Sequence, residues 1–334
     1  MATQPKQLAS DEVFTGYRYD LEDVEFLRAG SRPFLNQILT AEYSRPNEMD
    51  PRKWFRIRNQ GNQGSCRGHS GAAGMEHCWH CATGEMDVDG DGEIYEQDDD
   101  RFSPQWFYIT TQQFDRIHGD RGSTIAGGVK TSTEAGCCRE ALWLYEGRYD
   151  TEPDDWNAAK ADAAKFKLSR HHFFEPSATV FDDCLDWLGS NQGYLDIGQV
   201  WPLPFSRDGV VDGLSAGARG GGHATACLGY VARSTWLGQS RPMSRKLRDE
   251  EEKLLVVANS HGTRAQRGGF YAFTKRGWLD LLRHRYTVVV GMSDMINARP
   301  RHVDWDQHSI FHPFSRESRS DRFAAWTRKR LGMA

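Results

Sequence analysis

Apolar and polar positions along the 334-residue chain fall into two regimes. In the first half, small and apolar residues run in long stretches bounded by capping residues, a pattern that predicts helices. Cys66 to about Ala82 is rich in Gly, Ala and Ser behind a candidate N-cap, Ser65, and small residues suit a helix packed closely against another layer. Ser103-Pro104 opens a second helix to about Phe114, Ser123 to Ala135 predicts a third stopped by Gly136, and Trp156 to Phe166 a fourth. In the second half the pattern shortens. Tyr194–Val200, Thr225–Val231, Lys253–Ala258, Gly269–Phe273 and Tyr286–Val290 are β-branched or aromatic runs between glycine-rich or charged loops, which predict strands. Helices first and strands later imply an α+β protein, a helical lobe beside a sheet lobe. Residues 1–50 show no sustained period beyond a short helix near Leu21–Leu27 and read as a strap over the core.

Composition narrows the function classes. With 42 Lys+Arg against 46 Asp+Glu the chain is nearly neutral, which does not indicate a nucleic-acid binder. No apolar run approaches the roughly 18 residues of a membrane helix, and the polar N-terminus lacks the features of a secretory signal. No membrane partner is expected, and the expected location is cytoplasmic. Seven cysteines, an odd number, fit reduced thiols in such a compartment.

One of those thiols stands where chemistry is favoured. Cys66 opens a predicted helix, whose free amides and positive dipole end stabilise a thiolate. Six residues earlier, Gln60 carries an amide able to join the Cys66 backbone N–H at an oxyanion. Gly222-His223-Ala224 opens one predicted strand and Asn259-Ser260-His261-Gly262 closes another.

The segments Gln60-Gly61-Asn62-Gln63-Gly64-Ser65-Cys66, Gly222-His223-Ala224 and Asn259-Ser260-His261-Gly262 resemble, in order, those of papain-like cysteine peptidases, in particular bacterial-type members without a long proregion. The likeness runs from about Trp54 to about Met292, and Gly122-Ser123-Thr124-Ile125 resembles the family's approach to the cleft wall. The resemblance implies a two-lobed fold, a helical lobe plus an antiparallel sheet or barrel, with the site in the cleft of a peptidase domain over residues 51–296. It implies Cys66 as nucleophile, His223 as its base, Asn259 orienting His223, and Gln60 as oxyanion donor, with Gly122, Gly222 and Ala224 contacting substrate. The implied activity is that of an endopeptidase acting on proteins or peptides through a thiolate–imidazolium pair and an acyl-enzyme, with no cofactor required. The alternative is an inactive papain-fold binding or structural protein, for example virion-associated. Several positions depart from the family: Arg67 follows the nucleophile where an aromatic is usual, the aromatic two further on is His69, Gln63 replaces a disulfide cysteine, His261 replaces a tryptophan, and the second Trp-Gly is missing within Arg264 to Gly268. The indole that shields the Asn–His bond is thereby lost or only partly replaced.

Three features stand outside that likeness. Residues 85–100 form an acidic insertion in which Asp87, Asp89, Asp91, Glu93 and Asp98 resemble a calcium loop, with Asp98 shorter than the usual bidentate Glu. His69, His77, His80 and the Cys78-x-x-Cys81 pair raise zinc as a competing reading against ordinary helix packing. Residues 297–334, basic with interleaved aromatics, form an extension expected to dock on the core or on a protein partner. The full-length chain is expected to be its own working form, with residues 1–50 strapping the lobes and not blocking Cys66.

Overall fold

The computed structural model describes residues 16–31, 46–83, 101–190, 193–215, 220–239 and 251–296. The acidic residues Asp87, Asp89, Asp91, Glu93 and Asp98 and the extension 297–334 lie outside them. The helices are α1 (Leu21–Ala29), α2 (Cys66–Thr83), α3 (Pro104–Asp115), α4 (Ile125–Lys130), α5 (Trp156–Ala163), α6 (Val180–Gly189), α7 (Arg233–Leu237) and α8 (Lys275–Arg283). The strands are β1 (Lys167–Phe173), β2 (Gly193–Trp201), β3 (Val210–Val211), β4 (Gly221–Ala232), β5 (Lys253–Ala258), β6 (Phe270–Phe273) and β7 (Val288–Ile296). They form one sheet in the order β1-β7-β2-β4-β5-β6-β3, antiparallel except where β3 runs parallel to β6. The expected α+β architecture is present.

Helix α2 is the spine of the helical side, and its small residues are what let it sit there. A Cβ on Gly71 would come within 2.2 Å of the Phe107 ring of α3, and one on Gly74 within 2.0 Å of the Tyr194 ring of β2. Larger side chains would hold the three elements apart. Ser103 caps α3, its hydroxyl accepting the Trp106 N–H at 3.0 Å, with Pro104 in the first turn. The expected helix 123–135 is regular only over α4. Thr131 and Thr133 donate their hydroxyls back to the Gly127 and Val129 carbonyls, the last turn widens, and Gly136 ends it at φ +80°.

The sheet is covered on both faces, which the two-regime reading did not anticipate. Tyr194 of β2 joins the core beneath α2, whereas Leu195 and Ile197 join a second core formed with α6 and α8 through Phe181, Leu185, Leu188, Trp278 and Leu281. Alternation along β2 thus divides its residues between two dry interfaces. Its partner β4 is almost wholly buried too, with Ala224 and Ala226 facing the helical side and His223 set against Trp201 of the second core.

Candidate active site

The loop before α2 is tied down at several points. Asn59 accepts the Gly61 N–H at 3.0 Å, Asp120 accepts the Gly64 N–H at 2.8 Å, and the Tyr145 hydroxyl donates to the Gln60 carbonyl at 2.7 Å. Ser65 starts the helix by accepting the His69 N–H on its carbonyl. Its hydroxyl is taken by Tyr145 at 2.7 Å. Cys66 follows at the first turn, fully buried, its Sγ accepting the Ala224 N–H across the lobe boundary at 3.3 Å.

On the sheet side, β4 and β5 present the other two groups. His223 Nε2 donates to Asn259 Oδ1 at 2.8 Å, and the same oxygen accepts the Ser260 N–H at 2.8 Å. Asn259 Nδ2 donates to Gln266 at 3.0 Å and faces His261 Nδ1 at 3.3 Å, so the amide cannot flip without losing partners at both ends. This puts the His223 proton on Nε2 and leaves Nδ1 as a free base, without a hydrogen-bond partner. Gln60 is held between the lobes: its Nε2 donates to the Gln63 carbonyl at 2.9 Å, its Oε1 accepts from the Ser260 hydroxyl, and one amide hydrogen remains for another acceptor.

The missing shield is supplied from elsewhere in the chain. The Trp201 ring, at the end of β2, lies 4.6 Å from the His223 ring and 5.4 Å from that of His261, and His261 stacks on His223 at 4.7 Å with planes 17° apart. The indole is therefore relocated and not lost. The signal was in the sequence as a tryptophan closing the predicted strand 194–200, but only the pairing of β2 with β4 brings it to His223.

Residues 16–18 of the N-terminal segment bridge the two sides. Tyr17 N–H donates to the Gly222 carbonyl at 3.1 Å on the sheet side, Ser123 N–H donates to Gly16 O at 2.8 Å, and Arg18 N–H donates to Ser123 O at 2.9 Å on the helical side. A Cβ on Gly122 would lie 2.0 Å from Gly16 O, and one on Gly222 2.1 Å from Tyr17 O. Gly122 and Gly222 thus both lie against the N-terminal segment, whereas Ala224 meets Cys66 Sγ. The Tyr17 ring packs against Gly198, and its hydroxyl donates to Tyr286 O at 3.3 Å.

Burial sets the charge state of the covered site. Desolvation pushes the Cys66 thiol up to about 12, with the Ala224 N–H and Arg67 pulling the other way. Desolvation, reinforced by His261, pushes His223 down to about 3 against the bond from Asn259. Burial thus favours the neutral thiol at Cys66 and the neutral imidazole at His223, and the nearest described partner of Cys66 Sγ is the Ala224 N–H.

All seven cysteines are free, as the odd count implied. Among the described residues no group of three or more His, Cys, Asp or Glu side chains could hold a metal ion, so the zinc reading fails there. His77 Nε2 lies instead 3.1 Å from Gly193 O, and Trp54 stacks on His77 and His80.

Comparison with solved structures places the fold. Xylellain, a cysteine protease from Xylella fastidiosa, aligns with a TM-score of 0.59 at 16% identity, over 86% of this chain and 99% of that one. The fold is papain-like. Digestive procathepsin L 3 of Tenebrio molitor larval midgut aligns with a TM-score of 0.54 at 12% identity, over 84% of this chain and 83% of that one. ProCathepsin B S9 from Trypanosoma congolense gives 0.53 at 15%, over 84% and 87%. At such identities the likeness is one of fold, and does not single out a bacterial branch. No family model and no curated protein matches the chain. Among the described residues no helix is long and apolar enough to cross a membrane.

Proposed function

We propose that the chain is a cysteine endopeptidase that hydrolyses peptide bonds of protein or peptide substrates, with its cleft covered in the resting state by residues 16–18. The observation that carries the reading is the His223–Asn259 bond at 2.8 Å, which leaves His223 Nδ1 unpartnered while Cys66 Sγ approaches the next residue's N–H. In the uncovered cleft His223 takes the Cys66 proton, the thiolate attacks the substrate carbonyl, and His223 returns the proton to the leaving amine. The acyl-enzyme is then released by water that the same imidazole deprotonates. Asn259 holds the imidazole orientation throughout, and the remaining Gln60 N–H with the Cys66 amide receives the oxyanion. Cysteines that are all unpaired support a reducing, cytoplasmic setting, and Asp87 to Asp98 is kept as a calcium loop that melts with and without calcium would test.

The full covering of both Cys66 and His223 favours one alternative, a papain-fold protein that binds or builds without turnover. Hydrolysis of a fluorogenic peptide library by Tyr17→Ala protein, and its loss on adding Cys66→Ala or His223→Ala, separates the two. Hydrolysis surviving in Cys66→Ala, or absent although Cys66 is freely alkylated, overturns the peptidase reading.

A further inference from the structure

The residue after the candidate nucleophile carries a charge that packing alone does not explain. Arg67 and Asp196 are both fully buried, α2 supplying one and β2 the other, with Nη2 and Oδ2 2.6 Å apart. Their contact is an ion pair without aligned hydrogen-bond geometry, since Arg67 Nη2 and Nε and Asp196 Oδ2 make no hydrogen bond. Ser70 bridges them, accepting from Arg67 Nη1 at 3.0 Å and donating to Asp196 Oδ1 at 3.3 Å. The guanidinium also lies 4.9 Å from the centre of the Phe107 ring of α3 and fills the space beside Gly128 of α4.

Burying two ions costs several kcal/mol each, and well-packed apolar residues of similar volume commonly hold such a place as firmly. What an apolar pair could not supply is a field at the neighbouring Sγ. The family position is ordinarily aromatic, so this charge belongs to this chain. We propose that Arg67 is a positioning charge for Cys66, a permanent cation that favours its thiolate, and that Asp196 is the counter-ion that limits this effect. The proposal rests on the reading of Cys66 as nucleophile. It assigns to Arg67 part of the role otherwise given wholly to the imidazolium of His223.

The surroundings fit this assignment. Arg67 favours the Cys66 thiolate through both its charge and its backbone N–H, and Asp196 opposes it with a smaller influence. Burial pushes Asp196 up to about 6 against the pull of Arg67 and Ser70. As pH falls through that value Asp196 becomes neutral and the Arg67 charge acts on Cys66 uncompensated. The other titratable groups acting on the cluster among the described residues are Asp115 and Tyr108 of α3, Tyr194 of β2, Tyr17 of the N-terminal segment and Tyr145. Asp115 is itself pushed up to about 6 by burial, and the four tyrosine hydroxyls are raised by burial and stay neutral.

The test is the pH dependence of Cys66 alkylation by iodoacetamide in the full chain, followed by mass spectrometry of the Cys66 peptide. The plateau rate at high pH reports access, and the midpoint reports the charge around Sγ. Asp196→Asn is expected to lower the midpoint by about one pH unit, and Arg67→Met to raise it by about as much. Arg67→Lys should restore a midpoint near that of the unaltered chain. Thermal melts establish that each variant is folded, and should Arg67→Met not fold, Asp196→Asn decides by its sign. Midpoints that shift in the same direction in both variants, or a midpoint unmoved in Asp196→Asn with only the plateau altered, overturn the proposal. Because labelling needs no turnover, shifted midpoints without peptide hydrolysis would leave this inference standing and remove only the peptidase reading. Cys66-dependent hydrolysis with unmoved midpoints would do the reverse.

Discussion

Tyr17→Ala should uncover Cys66, and the size of the effect follows from the contacts. The segment is held by burial of the Tyr17 side chain, about 2–3 kcal/mol, and by three backbone hydrogen bonds of about 1 kcal/mol each. Fixing three residues costs roughly 1–2 kcal/mol apiece. The covered form is then favoured by about 1 kcal/mol, roughly a fivefold excess. Removing the ring takes away about 2 kcal/mol and inverts the ratio. Cys66 alkylation at pH 7.5, measured against the half-buried Cys81 as internal reference, should therefore rise about fivefold. Gly222→Ala should do the same by a different route, since its new Cβ would lie 2.1 Å from the Tyr17 carbonyl oxygen. An unchanged Cys66 rate in both folded variants would sink the idea that residues 16–18 gate the site.

Three further outcomes are expected. Asn259→Ala removes the acceptor of a buried imidazole, so peptide hydrolysis should fall about 10- to 100-fold, in kcat more than in KM. Burial holds His77 down to about 3, below its unfolded value of 6.5, so its neutral form contributes fully above pH 6.5 and that contribution is lost as pH falls towards 3. His77→Gln should accordingly narrow the difference in unfolding free energy between pH 7.5 and pH 5 by about 2 kcal/mol, measured by denaturant titration. Gly74→Ala gains about 1 kcal/mol of helix propensity but drives a Cβ into the fully buried Tyr194 ring, a clash of about 1–3 kcal/mol. The clash should win, and a lower urea midpoint at unchanged slope is the sign of it.

Local signals in the sequence carried much of this structure. The helix from Cys66 and the one from Pro104 lie where caps and small residues place them, and all five predicted strands appear, with β4 and β7 longer than their apolar runs. Helices α6 and α8 were missed because the second half was read by its β-branched content. In α6, Val180, Phe181, Cys184, Leu185 and Leu188 recur at helical spacing and face the second core. Strand β1 was missed for the opposite reason: Lys167-Leu168-Ser169-Arg170-His171-His172-Phe173 is polar because it is an edge strand, paired among the described residues only with β7. At the site, the motif order marked Cys66, His223, Asn259 and Gln60, whose bonds to one another and to their neighbours are now described. Trp201, Tyr17 and Asp196 could not be read from their neighbours in sequence. Each is brought to its partner by a contact between elements far apart in sequence, and no local pattern encodes such contacts.

The sheet order also bears on when the site comes into being during synthesis. Strand β7 lies between β1 and β2, pairing Lys167 with Ile296 and Gly193 with Ser293, and α2 packs on it as well, with Cys78 Sγ 3.8 Å from Met292 O. A nascent chain that stops short of residue 288 therefore lacks the strand joining β1 to the rest of the sheet, and part of the floor beneath the helix that carries Cys66. Closing such long loops is slow, because their entropy is lost before any contact repays it. The layer beneath α2 is consequently completed only by the last described strand of the chain. Until residues 288–296 are made, edge strand β1 has no neighbour and Cys78 of α2 lacks its contact with Met292.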